Sequence, residues 1–125
     1  MIYGIGTDLV EMSRIEHLLE QYSERFAKRV LTDSEWPAYV NSSKPAMFLA
    51  GRFAAKEAFS KAIGTGFRHP VSLSNISVAH DHLCKPYFAF HAELETLIKS
   101  EGIIGHHLSI SNEATLVCAF VTLEK

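Results

Sequence analysis

Asp8 and the polar residues between positions 52 and 61 are the side chains in this sequence whose types and spacing could do chemistry. Asp8 ends the stretch Gly4-Ile5-Gly6-Thr7, where a carboxylate beside glycine-rich backbone can reach a hard cation. The same position also suits a carboxylate that caps a turn or pairs with a neighbour. Counting about 100° per residue around a helix from Arg52, Lys56 falls near 40°, Ser60 near 80°, Phe53 near 100°, Gly64 near 120°, Glu57 near 140° and Lys61 near 180°. Cations, a carboxylate and a hydroxyl thus share one half of that helix. Phosphate groups call for such cations, because Arg offers a bidentate fork and Lys a mobile point charge. Mg²⁺ calls for one or two carboxylates plus phosphate oxygens. A solvated face with an ordinary i,i+4 pair, Glu57–Lys61, would read the same way, although Phe53 and a close-approach glycine at Gly64 sit oddly on it.

Other chemistries find less support. His80-Asp81-His82 and His106-His107 lack a third ligand at a recognised spacing, so no zinc site is expected. There is no G-x-S-x-G and no Walker A sequence, and Gly64-Thr65-Gly66 follows a helix where a P-loop would precede one. The two cysteines, Cys84 and Cys118, have no C-x-x-C spacing and fit a reduced cytoplasmic setting. No membrane span and no secretory leader are expected. The net charge of −2 hides a division along the chain. Residues 1–24 carry one base, Arg14, and five acids; residues 25–68 carry eight bases and three acids; residues 69–125 carry three bases and six acids. A basic middle third points to an anionic ligand or partner. The acidic flanks, and the lack of aromatics alternating with bases on a strand, disfavour nucleic acid.

These residues need elements to hold them. A strand is expected over Ile2–Val10, where two glycines imply close backbone approach. From Ser13 the period becomes helical, with Ile15, Leu18, Leu19, Tyr22 and Phe26 on one face. Thr32-Asp33-Ser34-Glu35 has capping-box form and should open a short second helix. Residues 46–63 form the strongest helical segment, stopped at Gly64-Thr65-Gly66. A hairpin of strands at 74–79 and 87–90, a helix at 92–100, and strands at 107–111 and 116–123 complete the chain. One α+β domain over residues 1–125 is expected, with a long central helix on a mostly antiparallel sheet.

The motifs resemble a known family. Gly4-Ile5-Gly6-Thr7-Asp8-Leu9-Val10-Glu11 with Arg14-Ile15 is similar to the opening signature of the holo-[acyl-carrier-protein] synthases. Arg25-Phe26 and Arg29-Val30-Leu31-Thr32 resemble their next block, and residues 48–58, continuing through Lys61–Gly66, resemble their central motif. The likeness spans nearly the whole chain. It implies the 4′-phosphopantetheinyl transferase fold and transfer of 4′-phosphopantetheine from coenzyme A to a serine of apo acyl carrier protein, in support of fatty acid biosynthesis. By the resemblance, Asp8 and Glu57 hold Mg²⁺, with Mn²⁺ as an alternative. Lys44 and Arg52 contact phosphates on the adenosine side. Ser60, Lys61, Gly64 and Thr65 line the coenzyme site, and Arg14 and Arg25 meet the carrier. Glu57 is the candidate general base and Lys61 a stabiliser of developing charge. Short members are homotrimers with active sites between subunits.

Two positions depart from the family pattern. Cys84 replaces glycine in the usual G-x-P turn, and Asn112 stands where many relatives have histidine. Asn112 can hydrogen-bond a phosphate or ribose but cannot act as a base near pH 7. Two other readings stand beside the main one: a transferase serving secondary-metabolism carriers, and a non-catalytic module that binds nucleotides or acidic proteins.

Overall fold

In a computed structural model describing all 125 residues, the chain runs β1 (Ile2–Glu11), α1 (Met12–Tyr22), α2 (Glu24–Val30), α3 (Trp36–Val40), α4 (Pro45–Ile63), a single 3-10 turn (Leu73–Asn75), β2 (Ile76–His80), β3 (Pro86–Phe90), α5 (Ala92–Ser100), β4 (Gly105–Asn112) and β5 (Leu116–Glu124). The expected α+β class holds. The strands form two antiparallel ladders, β1-β5-β4 and β2-β3. A hydrogen bond from Phe88 N to His106 Nε2 at 3.0 Å ties β3 to β4. Burial, with His107 adding to it, lowers the His106 pKa, so the ring is neutral and can accept that bond.

Helix α4 is the axis. It carries small residues at i+4 spacing, Ala50, Ala54, Ala58 and Ala62, all buried. Gly4 and Gly6 of β1 lie against them. A Cβ at Gly4 would fall 2.0 Å from Ala62 O, and one at Gly6 would fall 1.9 Å from Ala58 O. The expected close approach is therefore between β1 and α4 of the same chain. Gly64 behaves differently: it ends α4 at φ 91° with open space around it, so its need is conformational and not one of close approach.

Two further expectations change. The first helix does not continue through Phe26. It breaks at Ser23, φ 51°, and α2 starts at a new angle that brings Ala27 and Val30 into the core. The polar half of α4 is not one exposed face: Arg52, Lys56 and Ser60 are buried.

Lys56, fully buried, donates to Glu35 Oε1 at 2.6 Å, Val30 O at 2.6 Å and Leu73 O at 3.1 Å, so all three ammonium protons are used. Glu35 Oε1 also accepts from Thr32 N at 2.9 Å, which is the one half of the expected capping box that forms. Its Oε2 accepts from Val78 N at 3.0 Å and lies 3.2 Å from Arg52 Nε. The short helix accordingly starts after Glu35, which has been recruited as the counter-ion of α4.

Glu35→Gln leaves two cations in the interior without a counter-charge and should cost about 3–5 kcal/mol in urea unfolding. The double variant Glu35→Gln/Lys56→Met should lose less than Glu35→Gln alone. Simple addition of the two single losses would rule out the coupling.

Candidate functional site

The sequence-expected site residues separate into three groups around α4. At its C-terminal half, Lys61 Nζ donates to Thr7 O at 2.9 Å and to Asp8 Oδ1 at 3.3 Å. Asp8 lies in β1 opposite Ala119 of β5, and its Oδ2 is buried with no hydrogen-bond partner. Glu57 is half-buried one helical turn before Lys61. Burial, and then the charge of Asp8, raises the Glu57 pKa, while Lys61 and Arg14 pull it back. An orphaned carboxylate oxygen beside a second carboxylate that resists ionisation is a donor set short of positive charge. Mg²⁺, which takes one or two protein carboxylates and fills its shell with waters and phosphate oxygens, fits it.

The next turn completes this end. Gly66 N donates to Ser60 O at 3.1 Å and Thr65 Oγ1 to Gly66 O at 2.7 Å. Ser60 does not offer its hydroxyl outward. It is 2% exposed, and Oγ donates to Glu57 O at 2.7 Å.

The second group lines a cavity of about 400 Å³. Arg52 reaches it from α4 and Lys44 from the residue before that helix, His80 from the end of β2, Cys84 from the β2–β3 connection, and Asn112 from the end of β4. The Arg52 guanidinium carbon lies 4.1 Å from the Phe48 ring centroid, which fixes its plane. Arg52 Nε makes no hydrogen bond: Glu35 is near enough to attract it but out of line. Burial lowers the Arg52 and His80 pKa values, with Glu35 opposing the shift at Arg52. The cavity is therefore cationic, partly desolvated and short of an anion. Sequence reasoning placed Lys44, Arg52 and Asn112 here but missed His80; its position just before a turn in a hairpin was the only available signal.

Arg52 and the Glu57–Lys61 pair do not share a face. Five residues of helix separate Arg52 from Glu57, about 140° of rotation and about 7.5 Å of rise. The cavity and the carboxylate pair lie on different sides of α4.

The third group is a groove of about 390 Å³ between α1, α2 and α4, lined by Leu18, Tyr22, Arg25, Phe26, Arg29 and Phe53 among others. Arg14 lies over Phe53, 5.9 Å from the ring centroid, and its charge is felt at Glu57. Apolar floor and arginine rim suit an amphipathic, acidic helix. Arg29 joins the expected Arg14 and Arg25 because the break at Ser23 turns α2 against α1. Of the two histidine clusters, His106 is committed to Phe88 N, and no group of three metal-ligating side chains exists. No helix is long and apolar enough to cross a membrane.

Comparison with known proteins follows the same lines. Residues 4–120 match the family model described as the 4′-phosphopantetheinyl transferase superfamily. The chain is 71% identical, over the full length of both proteins, to the holo-[acyl-carrier-protein] synthase of Nitrosospira multiformis. It superposes on the crystal structure of the Neisseria meningitidis holo-[acyl-carrier-protein] synthase with a TM-score of 0.97 at 47% identity, covering 100% of both chains. It also resembles the Bacillus anthracis synthase solved in complex with CoA (3′,5′-ADP), with a TM-score of 0.81 and 40% identity over 98% of this chain and 96% of that one.

Because the folded-state pKa of Glu57 is raised, folding favours its protonated form, and the stability this group contributes is lost as pH rises through that value. Glu57→Gln should therefore raise the melting temperature of the metal-free protein at pH 7. Millimolar Mg²⁺ should raise the wild-type melting temperature further, and Glu57→Gln and Asp8→Asn should each abolish that rise. An undiminished Mg²⁺ response in both variants would remove the pair as the metal site.

Proposed function

The chain belongs to the 4′-phosphopantetheinyl transferase superfamily, among the holo-[acyl-carrier-protein] synthases, and on that premise we propose that it moves 4′-phosphopantetheine from coenzyme A to a serine of apo acyl carrier protein, releasing adenosine 3′,5′-bisphosphate. The observation that carries this reading is the pairing of an anion-deficient cavity, Lys44, Arg52 and Asn112, with a cation-deficient carboxylate pair, Asp8 and Glu57. Coenzyme A presents both complements: a phosphorylated adenosine and a pyrophosphate that carries a metal.

In this scheme Lys44 and Arg52 bind the phosphates of the adenosine end, and Asn112 hydrogen-bonds a phosphate or ribose hydroxyl. Asp8 and Glu57 would hold Mg²⁺, or Mn²⁺ in its place, which when bound offsets charge on the pyrophosphate oxygens. The carrier serine oxygen attacks the β-phosphorus, and the bond to the adenosine bisphosphate breaks. Glu57, directly or through a bound water, accepts the serine proton. Lys61 sits where charge builds on the non-bridging and leaving oxygens. The backbone turn at Gly64 and Thr65, braced through Ser60, lines the pantetheine side. The carrier docks its acidic helix in the arginine-rimmed groove, meeting Arg14, Arg25 and Arg29. Residues 1–125 act as one transferase domain in the cytoplasm, serving the carrier of fatty acid biosynthesis; the free thiols of Cys84 and Cys118 are in keeping with a reducing compartment.

We read the active unit as a homotrimer with sites between subunits. Two observations support it. The cavity and the carboxylate pair lie on different sides of α4, an arrangement that suits a coenzyme held between the cavity of one chain and the carboxylates of another. The outer face of the β1-β5-β4 sheet is also apolar and uncovered: Ile5 is 58% exposed, Leu9 63% and Phe120 42%. Two further copies of this chain, brought together around a threefold axis, would cover it.

Mass spectrometry of apo acyl carrier protein incubated with coenzyme A, Mg²⁺ and this protein should show the added phosphopantetheine. No gain, with a working control enzyme, would sink the transferase reading and leave the non-catalytic module. A panel of fatty-acid and secondary-metabolism carriers then ranks the partners. Arg52→Ala and Glu57→Ala, each inactive alone, should recover roughly a quarter of wild-type activity when refolded together in equal amounts, as random assembly of shared sites requires. No recovery from properly assembled mixtures would place each site within one chain.

A further inference from the structure

Cys84 is the one thiol that lines the cationic cavity, and the proposed transfer does not employ it. The loop that carries it is set by one side chain. Asp81 Oδ1 accepts from Leu83 N at 2.8 Å and Lys85 N at 2.9 Å, and Cys84 N donates to Asp81 O at 2.9 Å. Cys84 stands there at φ 62°, in the left-handed region, with its side chain exposed. A β-carbon in that region is disfavoured relative to glycine. The thiol lines the same cavity as Lys44, Arg52 and His80.

That cavity is built for an anion independently of the cysteine. Arg52 is 8% exposed, faces the cavity, and its Nε has no hydrogen-bond partner. Such a field concentrates anionic reagents beside a neighbouring thiol. The other cysteine, Cys118, is half-buried in β5 and lies outside this cavity.

We propose that Cys84 is a thiol–disulfide exchange site that takes up an anionic low-molecular-weight disulfide and so closes the cavity to the coenzyme. The Cys84 thiolate attacks one sulfur of the disulfide. The S–S bond breaks, a new Sγ–S bond forms, and the other half leaves as a thiolate that takes the proton Cys84 gave up. Cys84 is oxidised, the leaving thiol is reduced, and a second thiol reverses the step. The blocking effect rests on the coenzyme reading above; the exchange itself does not.

The test uses the full-length reduced protein, freed of reductant and incubated separately with coenzyme A disulfide, oxidised glutathione and the neutral hydroxyethyl disulfide. Intact mass and peptide mapping locate the adduct, and calorimetry measures adenosine 3′,5′-bisphosphate binding before and after. The expected result is a single adduct on Cys84, formed about tenfold faster by the anionic disulfides than by the neutral one. Bisphosphate should slow it, dithiothreitol should reverse it, and the adduct should abolish nucleotide binding. Cys84→Gly should take up no adduct, and its nucleotide binding, whatever its untreated level, should not change on treatment. Coenzyme A disulfide outpacing glutathione supports a site that reads the nucleotide end; equal rates for those two support recognition of negative charge alone. An adduct chiefly on Cys118, equal rates for all three reagents, or unchanged nucleotide binding in the Cys84 adduct would overturn the proposal. An adduct that forms as expected while carrier modification fails would overturn the transferase reading and leave the exchange site standing.

Discussion

One buried carboxylate organises this molecule. Glu35 neutralises Lys56 inside the protein, attracts Arg52 and accepts the backbone amides of Thr32 and Val78. Lys56 in turn closes on the carbonyls of Val30 and Leu73. The central helix, the end of α2, the start of α3 and the β2 ladder therefore meet at one ion pair. A buried charge is tolerable only when its partner and its remaining hydrogen bonds are all present, so each of these segments is held to its place by the others' presence.

The same arrangement shapes the cationic cavity. Arg52 is close enough to Glu35 to be held, yet too poorly aligned to be satisfied. Its plane is set by Phe48. An arginine kept in position by a carboxylate behind it and an aromatic ring beside it is preorganised for an anion, because little side-chain freedom remains to be lost on binding. On the other side of α4, two glycines let β1 lie directly on Ala58 and Ala62. That contact brings Asp8 into the neighbourhood of Glu57 and Lys61. A side chain at Gly6 would push β1 off the helix and separate the carboxylates.

Much of the fold was legible in the residues. The alternation of strands, the long segment at 46–63, the hairpin and its turn, and the glycines of the first strand all obeyed local periodicity. The chemical groups were legible as types: Asp8, Glu57 and Lys61 do converge, and Lys44, Arg52 and Asn112 do share a cavity. Three features were not. The break at Ser23 carries no glycine or proline to announce it. Glu35 fitted a capping box, and half of that box exists, but its carboxylate serves a lysine 21 residues away. The helical wheel placed Arg52, Lys56, Glu57, Ser60 and Lys61 on one half-turn, and burial then divided them among an anion cavity, an interior ion pair and a carboxylate site.

By itself, then, the sequence determined which elements form, which family's motifs they carry, and which side chains are chemically able to meet phosphate and a hard cation. Periods of two and 3.6 are local properties, and glycine's missing β-carbon is a property of one residue. Only the tertiary structure decided which cations are free to meet a ligand. A lysine on a helix can extend into water or fold its ammonium into a core, and which it does depends on a counter-charge supplied from elsewhere in the chain. Lys56 found Glu35, and Lys61 found the edge of β1. The −2 net charge with its basic middle third is identical in either case; the packing alone separates the basic residues that hold the fold from those left to bind.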